Sequence, residues 1–222
     1  MRVFFSARLL LLCFSLSIFC VAGVQATPVF INELHYDNNG ADQEEGVELA
    51  GPAGTDLTGW QLLFYNGSNG RPYLSRTLSG VIEDLSNGFG VAAFGVAGLQ
   101  NGAPDGIALV NAISEVIQFL SYEGQFVASE GVAEDMSSVD IGVAESPGTA
   151  TGLSLQLGGV GQQASDFIWN APAVSSFGAI NPQQRFLPTV TGEISIPGTL
   201  LLILGAIGMM TFARSRTRAH GC

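Results

Sequence analysis

Basic and reactive side chains are scarce in this 222-residue chain: it has no lysine, three cysteines and two histidines, and only 12% of its residues are charged. Cys13 and Cys20 lie near the start and Cys222 is the last residue, so residues 27–196 have neither a disulfide staple nor a thiolate nucleophile. His35 is the one histidine in that stretch, which excludes a Cys–His pair and a His-rich metal site. A Ser-His-Asp triad would have to use His35, and no nucleophile-elbow motif lies near it. The expectation for His35 is a strand residue at the domain surface. Of the eight arginines only Arg71, Arg76 and Arg185 fall between 27 and 196, against all 19 acids, so this stretch carries a formal charge of −16. Such a body repels phosphate backbones, and no nucleic-acid partner is expected.

The remaining arginines mark the two ends. Arg2 and Arg8 precede an uncharged apolar run, Leu9–Ala22, and Val24-Gln25-Ala26 offers small residues at the positions a signal peptidase inspects. Residues 1–26 read as a signal peptide cleaved between Ala26 and Thr27. The bulky Phe19 before Cys20 argues against a lipoprotein cysteine. At the other end, Ile194–Ala213 is uncharged and long enough for a helix to cross the ~30 Å hydrocarbon core. Arg214, Arg216 and Arg218 follow at once, as arginines do on the cytoplasmic side of a span. The expected organisation is a signal peptide (1–26), an external body (27–180), a linker (181–195), a transmembrane segment (196–213) and a basic cytoplasmic tail (214–222).

That tail, with Pro197, Gly198 and Thr199 before the apolar run and Arg214, Arg216 and Arg218 after it, resembles the PEP-CTERM sorting signals of Gram-negative bacteria. The usual Pro-Glu-Pro is reduced here to Ser195-Ile196-Pro197-Gly198. The resemblance implies an exosortase-type processing enzyme as a partner, membrane or cell-surface attachment, and association with extracellular polysaccharide. Leu187–Gly192 nearly spells a Gram-positive sortase signal, but with one residue too many.

Residues 27–180 show short apolar runs between glycine and asparagine turns, with no long 3.6-residue periodicity. Leu153, Leu155 and Leu157 alternate with Ser154, Gln156 and Gly158, and Phe30, Leu34 and Tyr36 with Ile31, Glu33 and His35. Gly59–Tyr65 reads as a strand ending in an Asn66-Gly67 hairpin. Further strands are expected near Phe89–Val96, Gly106–Val110, Val116–Tyr122 and Asp166–Asn170. Turn signals every 8–12 residues point to an all-β sandwich.

Three ordered blocks then resemble the lamin-tail domain, an immunoglobulin-like β-sandwich: Val29-Phe30-Ile31-Asn32-Glu33-Leu34, Glu44-Glu45-Gly46-Val47-Glu48-Leu49, and Leu57-Thr58-Gly59-Trp60-Gln61-Leu62. Asn101–Val110 and Ser176–Asn181 extend the likeness. Gly46 stands where that family usually has a core phenylalanine, so a loosened or bulged strand is expected there. The resemblance implies an interaction module that often travels with secreted hydrolases, none of which accompanies it in this chain.

The densest polar cluster is Asp37-Asn38-Asn39-Gly40-Ala41-Asp42-Gln43-Glu44-Glu45, between Glu33 and Glu48. Carboxylate and amide oxygens on a glycine-containing loop suit Ca²⁺, with Asp37, Asn39, Asp42, Glu44 and Glu45 as candidate ligands, although the spacing is not that of an EF-hand. The alternative is a solvated acidic turn. Among the aromatic residues, Tyr65 and Tyr73 flank the hairpin tip and are the candidates for an exposed sugar platform. No catalytic residue is assigned. The reading is a non-catalytic surface display or binding protein; the alternatives are a small hydrolase using a carboxylate pair and a purely structural matrix component.

Overall fold

The computed structural model describes residues 29–188. The expected signal peptide with its Ala26/Thr27 cleavage site, the end of the linker, and the span and tail with Pro197, Gly198, Thr199, Arg214, Arg216 and Arg218 lie outside the described residues. Eleven strands and one turn of 3-10 helix (Ala164–Asp166) follow in order: β1 Phe30–His35, β2 Gly46–Pro52, β3 Gln61–Asn66, β4 Arg71–Thr77, β5 Phe89–Gly95, β6 Asp105–Val110, β7 Val116–Tyr122, β8 Val139–Asp140, β9 Leu153–Gly161, β10 Phe167–Val174 and β11 Gln184–Phe186. They form two sheets, ordered β10-β9-β1-β2-β5 and β4-β3-β6-β7-β8, with β11 added beside β9. The all-β sandwich expected from the turn spacing is present.

The alternation of apolar residues builds the core. Leu34, Val47, Leu49 and Leu155 of the first sheet meet Leu62, Phe64, Ile107 and Leu109 of the second, with Leu57, Trp60 and Ile82 closing the rim. Each such side chain contributes roughly 1.5–3 kcal/mol by leaving water. The β3–β4 hairpin turns through Asn66–Gly70, where Asn66 Oδ1 accepts the Ser68 N–H at 3.0 Å. Gly70 there has φ +70°, a left-handed conformation that a side chain would strain.

Both outer faces are also covered, which the alternation did not indicate. All six residues of β1 are buried. A chain segment around residues 126–133 covers Tyr65, Ala108, Val110 and Phe119 on the second sheet. Tyr65 is therefore buried, edge-on to Phe119 at 5.2 Å, and its hydroxyl accepts the Ala133 N–H at 3.2 Å. Tyr73 is half-buried, its hydroxyl taken by the Gln100 N–H at 2.8 Å. Neither is the exposed platform expected, because the hairpin they flank lies against neighbouring loops.

On the first sheet the cover is the C-terminal stretch, and the expected linker begins inside the domain. β11 runs parallel to β9, pairing Gln184 with Gly159 and Phe186 with Gly161. Phe186 is fully buried, stacked on Phe89 at 4.9 Å and edge-on to Phe167 at 5.5 Å. A run of Gln, Pro and Arg hides this strand from periodicity arguments, because only one of its side chains is apolar. Gly46 departs from expectation too. The β2–β5 register is regular from Gly46↔Gly95 to Pro52↔Phe89, and the irregularity lies in β1, between Ile31 and Glu33. A Cβ at Gly46 would sit 2.9 Å from the Phe94 carbonyl oxygen, so the strands approach too closely for a side chain there. Above the Gly46–Gly95 pair lies a cleft of about 220 Å³ walled by Phe94 and Phe177.

Phe186→Ala should lower the unfolding free energy by about 3–5 kcal/mol in a denaturant titration, as for a buried phenylalanine. A loss below about 1 kcal/mol would mean that the C-terminal strand is not part of the cooperative domain.

Candidate functional site

Glu33 and Glu48 sit directly opposite each other in the β1–β2 register, and neither has any solvent exposure. Two like charges facing each other in a sheet are unfavourable. The C-terminal stretch resolves this by surrounding them with donors. Glu33 Oε1 accepts from Ser154 Oγ at 2.6 Å, Ser175 Oγ at 3.1 Å and the Ser176 N–H at 2.8 Å, while Oε2 accepts from Ser176 Oγ at 2.8 Å. Glu48 accepts from Asn32 Nδ2 at 3.0 Å and the Gly178 N–H at 2.6 Å. Asn181 Nδ2 donates to the carbonyls of Asn32 (3.2 Å) and Leu157 (2.9 Å), bridging the point where β1 leaves β9. Gln184 Nε2 donates to Asn32 Oδ1 at 2.7 Å. Burial pushes the Glu48 carboxyl up to about 8, with the nearby Glu33 charge adding to the rise and the Gly178 and Asn32 donors opposing it. Glu48 is thus largely neutral at neutral pH, and the pair avoids mutual repulsion. These two acids belong to the motif blocks, yet they point away from the acidic loop and into the fold.

His35 is buried rather than at the surface. Its Nδ1 lies 2.8 Å from Glu145 Oε1, and its Nε2 lies 2.9 Å from the Gln43 carbonyl oxygen. Burial pulls the imidazole pKa down, but the hydrogen bond and charge of Glu145, with the Gln43 carbonyl, more than restore it, leaving it raised. Both partners are acceptors, an arrangement that favours the doubly protonated ring and ties up both of its nitrogens. Glu145 also accepts the Tyr36 and Asp37 N–H groups at 2.7 and 3.0 Å. Nothing in the Ser-Pro-Gly surroundings of Glu145 signals this role in the sequence.

The acidic loop divides its carboxylates. Glu45 accepts the Gly98 and Leu99 N–H groups at 2.7 and 2.8 Å, and Asp42 Oδ1 accepts the Asn38 N–H at 3.3 Å. Asp37 is buried beside Asn101, and burial raises its pKa, with Asp42 and Glu145 adding to the rise. Asn39 and Glu44 are exposed, Glu44 at φ 60°. Of the five candidate ligands only Asp37 and Asp42 come together, and among the described residues no three His, Cys, Asp or Glu side chains gather to hold a metal ion.

The largest recess lies elsewhere, at one open side of the sandwich. A cleft of about 410 Å³ runs between β7 and the β9–β10 edge, walled by Ile31, Ile117, Phe119, Phe167 and Trp169. An adjoining hollow of about 290 Å³ shares Ile117, Gln118, Ala164 and Ser165 and adds Gln163. Its lining is aromatic, aliphatic, amide and hydroxyl; among the described residues no Asp or Glu takes part. Trp169, half-buried at the cleft, leaves part of its surface open. In comparisons with known proteins, no family model matches the chain, and neither a curated protein nor a solved structure matches it.

The buried groups make stability depend on pH in one direction. An acid raised to about 8 in the fold, from about 4.5 when unfolded, stabilises while protonated, and this contribution fades as pH rises between those values. His35, raised above 6.5, likewise stabilises while charged and loses that contribution as pH climbs through its folded value. The thermal midpoint should therefore fall between about pH 5.5 and about pH 8.5. Glu48→Gln should flatten that slope; a midpoint that rises over this window, or an unaltered slope in the variant, contradicts the assignment.

Proposed function

We propose that this chain is a secreted, cell-envelope-attached display and binding module of lamin-tail, immunoglobulin-like type, non-catalytic, whose partner is extracellular polysaccharide. The cleft beside Trp169 is the observation that carries the binding reading. A ring face beside amide and hydroxyl groups, on a surface without charge, suits a neutral sugar, whose apolar ring faces stack while its hydroxyls hydrogen-bond. The surrounding body, at −16 between residues 27 and 196, repels anionic chains and disfavours nucleic acid.

Support for the lamin-tail reading comes from the order of the three motif blocks, which fall on β1, on β2 with the residues before it, and on the approach to β3. Support for a non-catalytic role comes from the polar groups themselves. The buried carboxylate pair has no opening to solvent, and the one histidine of the body is held between two acceptors. The apolar, arginine-flanked ends supply export and attachment, with an exosortase-type enzyme as the processing partner and the Gram-negative envelope as the location.

The test is retention of the full-length protein, in detergent, on immobilised neutral glucans and on alginate. Retention on a neutral glucan, and an about tenfold weaker retention of Trp169→Ala with its fold intact by circular dichroism, is the expected result. Equal retention of the variant, or none of the parent on any neutral glucan, overturns the binding reading. Separately, the protein recovered from envelope and medium should begin at Thr27; a chain retained in the cytosol and beginning at Met1 overturns export.

A further inference from the structure

Five Asn-Gly pairs occur among the described residues: Asn39-Gly40, Asn66-Gly67, Asn69-Gly70, Asn87-Gly88 and Asn101-Gly102. This dipeptide is the one most prone to intramolecular attack on the asparagine amide, because a following glycine leaves the backbone nitrogen unhindered. Whether it reacts in a folded protein depends on whether the two reacting groups are free to meet.

Four of the five pairs are fastened. The Gly70 N–H donates to the Asn66 carbonyl at 2.8 Å, and Asn69 Oδ1 accepts the Arg71 N–H at 2.9 Å. Asn66 Nδ2 donates to Gln100 Oε1 at 2.6 Å, and the Gly67 N–H donates to the Pro104 carbonyl at 3.0 Å and to Asp105 Oδ1 at 3.1 Å. Asn87 Nδ2 donates to the Phe186 carbonyl at 2.8 Å, and the Gly88 N–H to Asp84 Oδ1 at 3.1 Å. The Gly102 N–H donates to Asp105 Oδ2 at 2.8 Å, and the Asn101 side chain lies beside Asp37. In each case the attacking nitrogen is held by an acceptor, and the Asn66, Asn69 and Asn87 side chains are tethered as well.

Asn39-Gly40 differs at both atoms. Its backbone is anchored, with the Asn39 N–H donating to the Thr149 carbonyl at 2.8 Å and the Asn39 carbonyl accepting from Asn38 Nδ2 at 3.1 Å. Among the described residues, neither the Asn39 side chain nor the Gly40 N–H has a hydrogen-bond partner. Both residues are exposed, and the space where a Gly40 side chain would stand is empty within 4 Å. We propose that Asn39 is a site of spontaneous deamidation in the folded protein, and that the other four Asn-Gly pairs are protected by the hydrogen bonds that hold them.

In the first step the Gly40 nitrogen bonds to Asn39 Cγ, the Cγ–Nδ2 bond breaks, and the departing amide group takes up the Gly40 proton and leaves as ammonia. Water then opens the cyclic imide at either carbonyl, giving an aspartyl or isoaspartyl residue at position 39. No electrons are exchanged, and water is the sole co-reactant. The product adds one negative charge beside Asp37 and Asp42, and the isoaspartyl form lengthens the backbone in the loop between β1 and β2.

The test is incubation of the full-length chain in detergent at mildly alkaline pH, followed by peptide mapping for amide-to-acid conversion and for isoaspartate. Conversion at position 39 should run about tenfold or more ahead of positions 66, 69, 87 and 101, a gap that closes when the same protein is unfolded in denaturant. Equal rates at all five positions in the folded protein, or a faster reaction at 66, 69, 87 or 101 than at 39, overturn the proposal. Persistence of the same order of rates in denaturant overturns the protective role of the hydrogen bonds.

Discussion

Two carboxyl groups buried side by side in a sheet, with no cation beside them, are the constraint on which the rest of this fold depends. Among the described residues the ion pairs are His35–Glu145 and the exposed Arg71–Glu130, and neither reaches Glu33 or Glu48. A buried charge left without partners costs several kcal/mol, so donors have to come from elsewhere in the chain. They come from the serines at 154, 175 and 176 and from the amides of Asn32 and Gly178. The chain must therefore return across the outer face of the first sheet after β10. That return explains why β1 is buried on both faces, why Phe186 reaches Phe89, and why the domain continues past residue 180.

A second polar knot holds the far end of β1. Glu145 takes the His35 ring and the Tyr36 and Asp37 N–H groups, while the Tyr36 ring stacks on Tyr122 at 3.9 Å across the two sheets. Together the two knots absorb the polar residues that looked most like chemistry in a protein with so few reactive groups. What remains at the surface is an acidic shell interrupted by one uncharged cleft. Charge and recess thus divide the molecule: acids occupy the shell and the two polar knots, and the cleft beside Trp169 is lined without them.

The strands with strict alternation were legible in the sequence, because burial of one face imposes a period of two. β1, β3, β5, β6, β7 and β9 all fall where the apolar runs predict them. β4, β8 and β11 were not legible. Arg71–Thr77 is mostly exposed, Val139–Asp140 has two residues, and Gln184–Phe186 has one apolar side chain, so none carries a periodic signal. Burial of Ser154, Gln156 and Asn32 was equally hidden, since a polar residue on an outer face looks the same whether water or a returning chain covers it. The motif acids were visible as motif residues, but proximity in sequence grouped them with the loop acids, whereas strand alternation turns them to the opposite use. Glu45 shows the converse: a residue that looked available for a cation is occupied by two backbone amides contributed from more than fifty positions away.

The central claim is that Glu33 and Glu48 fasten the C-terminal stretch onto the sheet. Hydrogen exchange of the Ser176 and Gly178 amides tests it most directly, because these sit in a segment with no regular secondary structure and donate only to the two carboxyl groups. The account predicts that both exchange as slowly as the amides of β1 and open together with them. Exchange at the rate of an exposed loop, with β1 still protected, would contradict it.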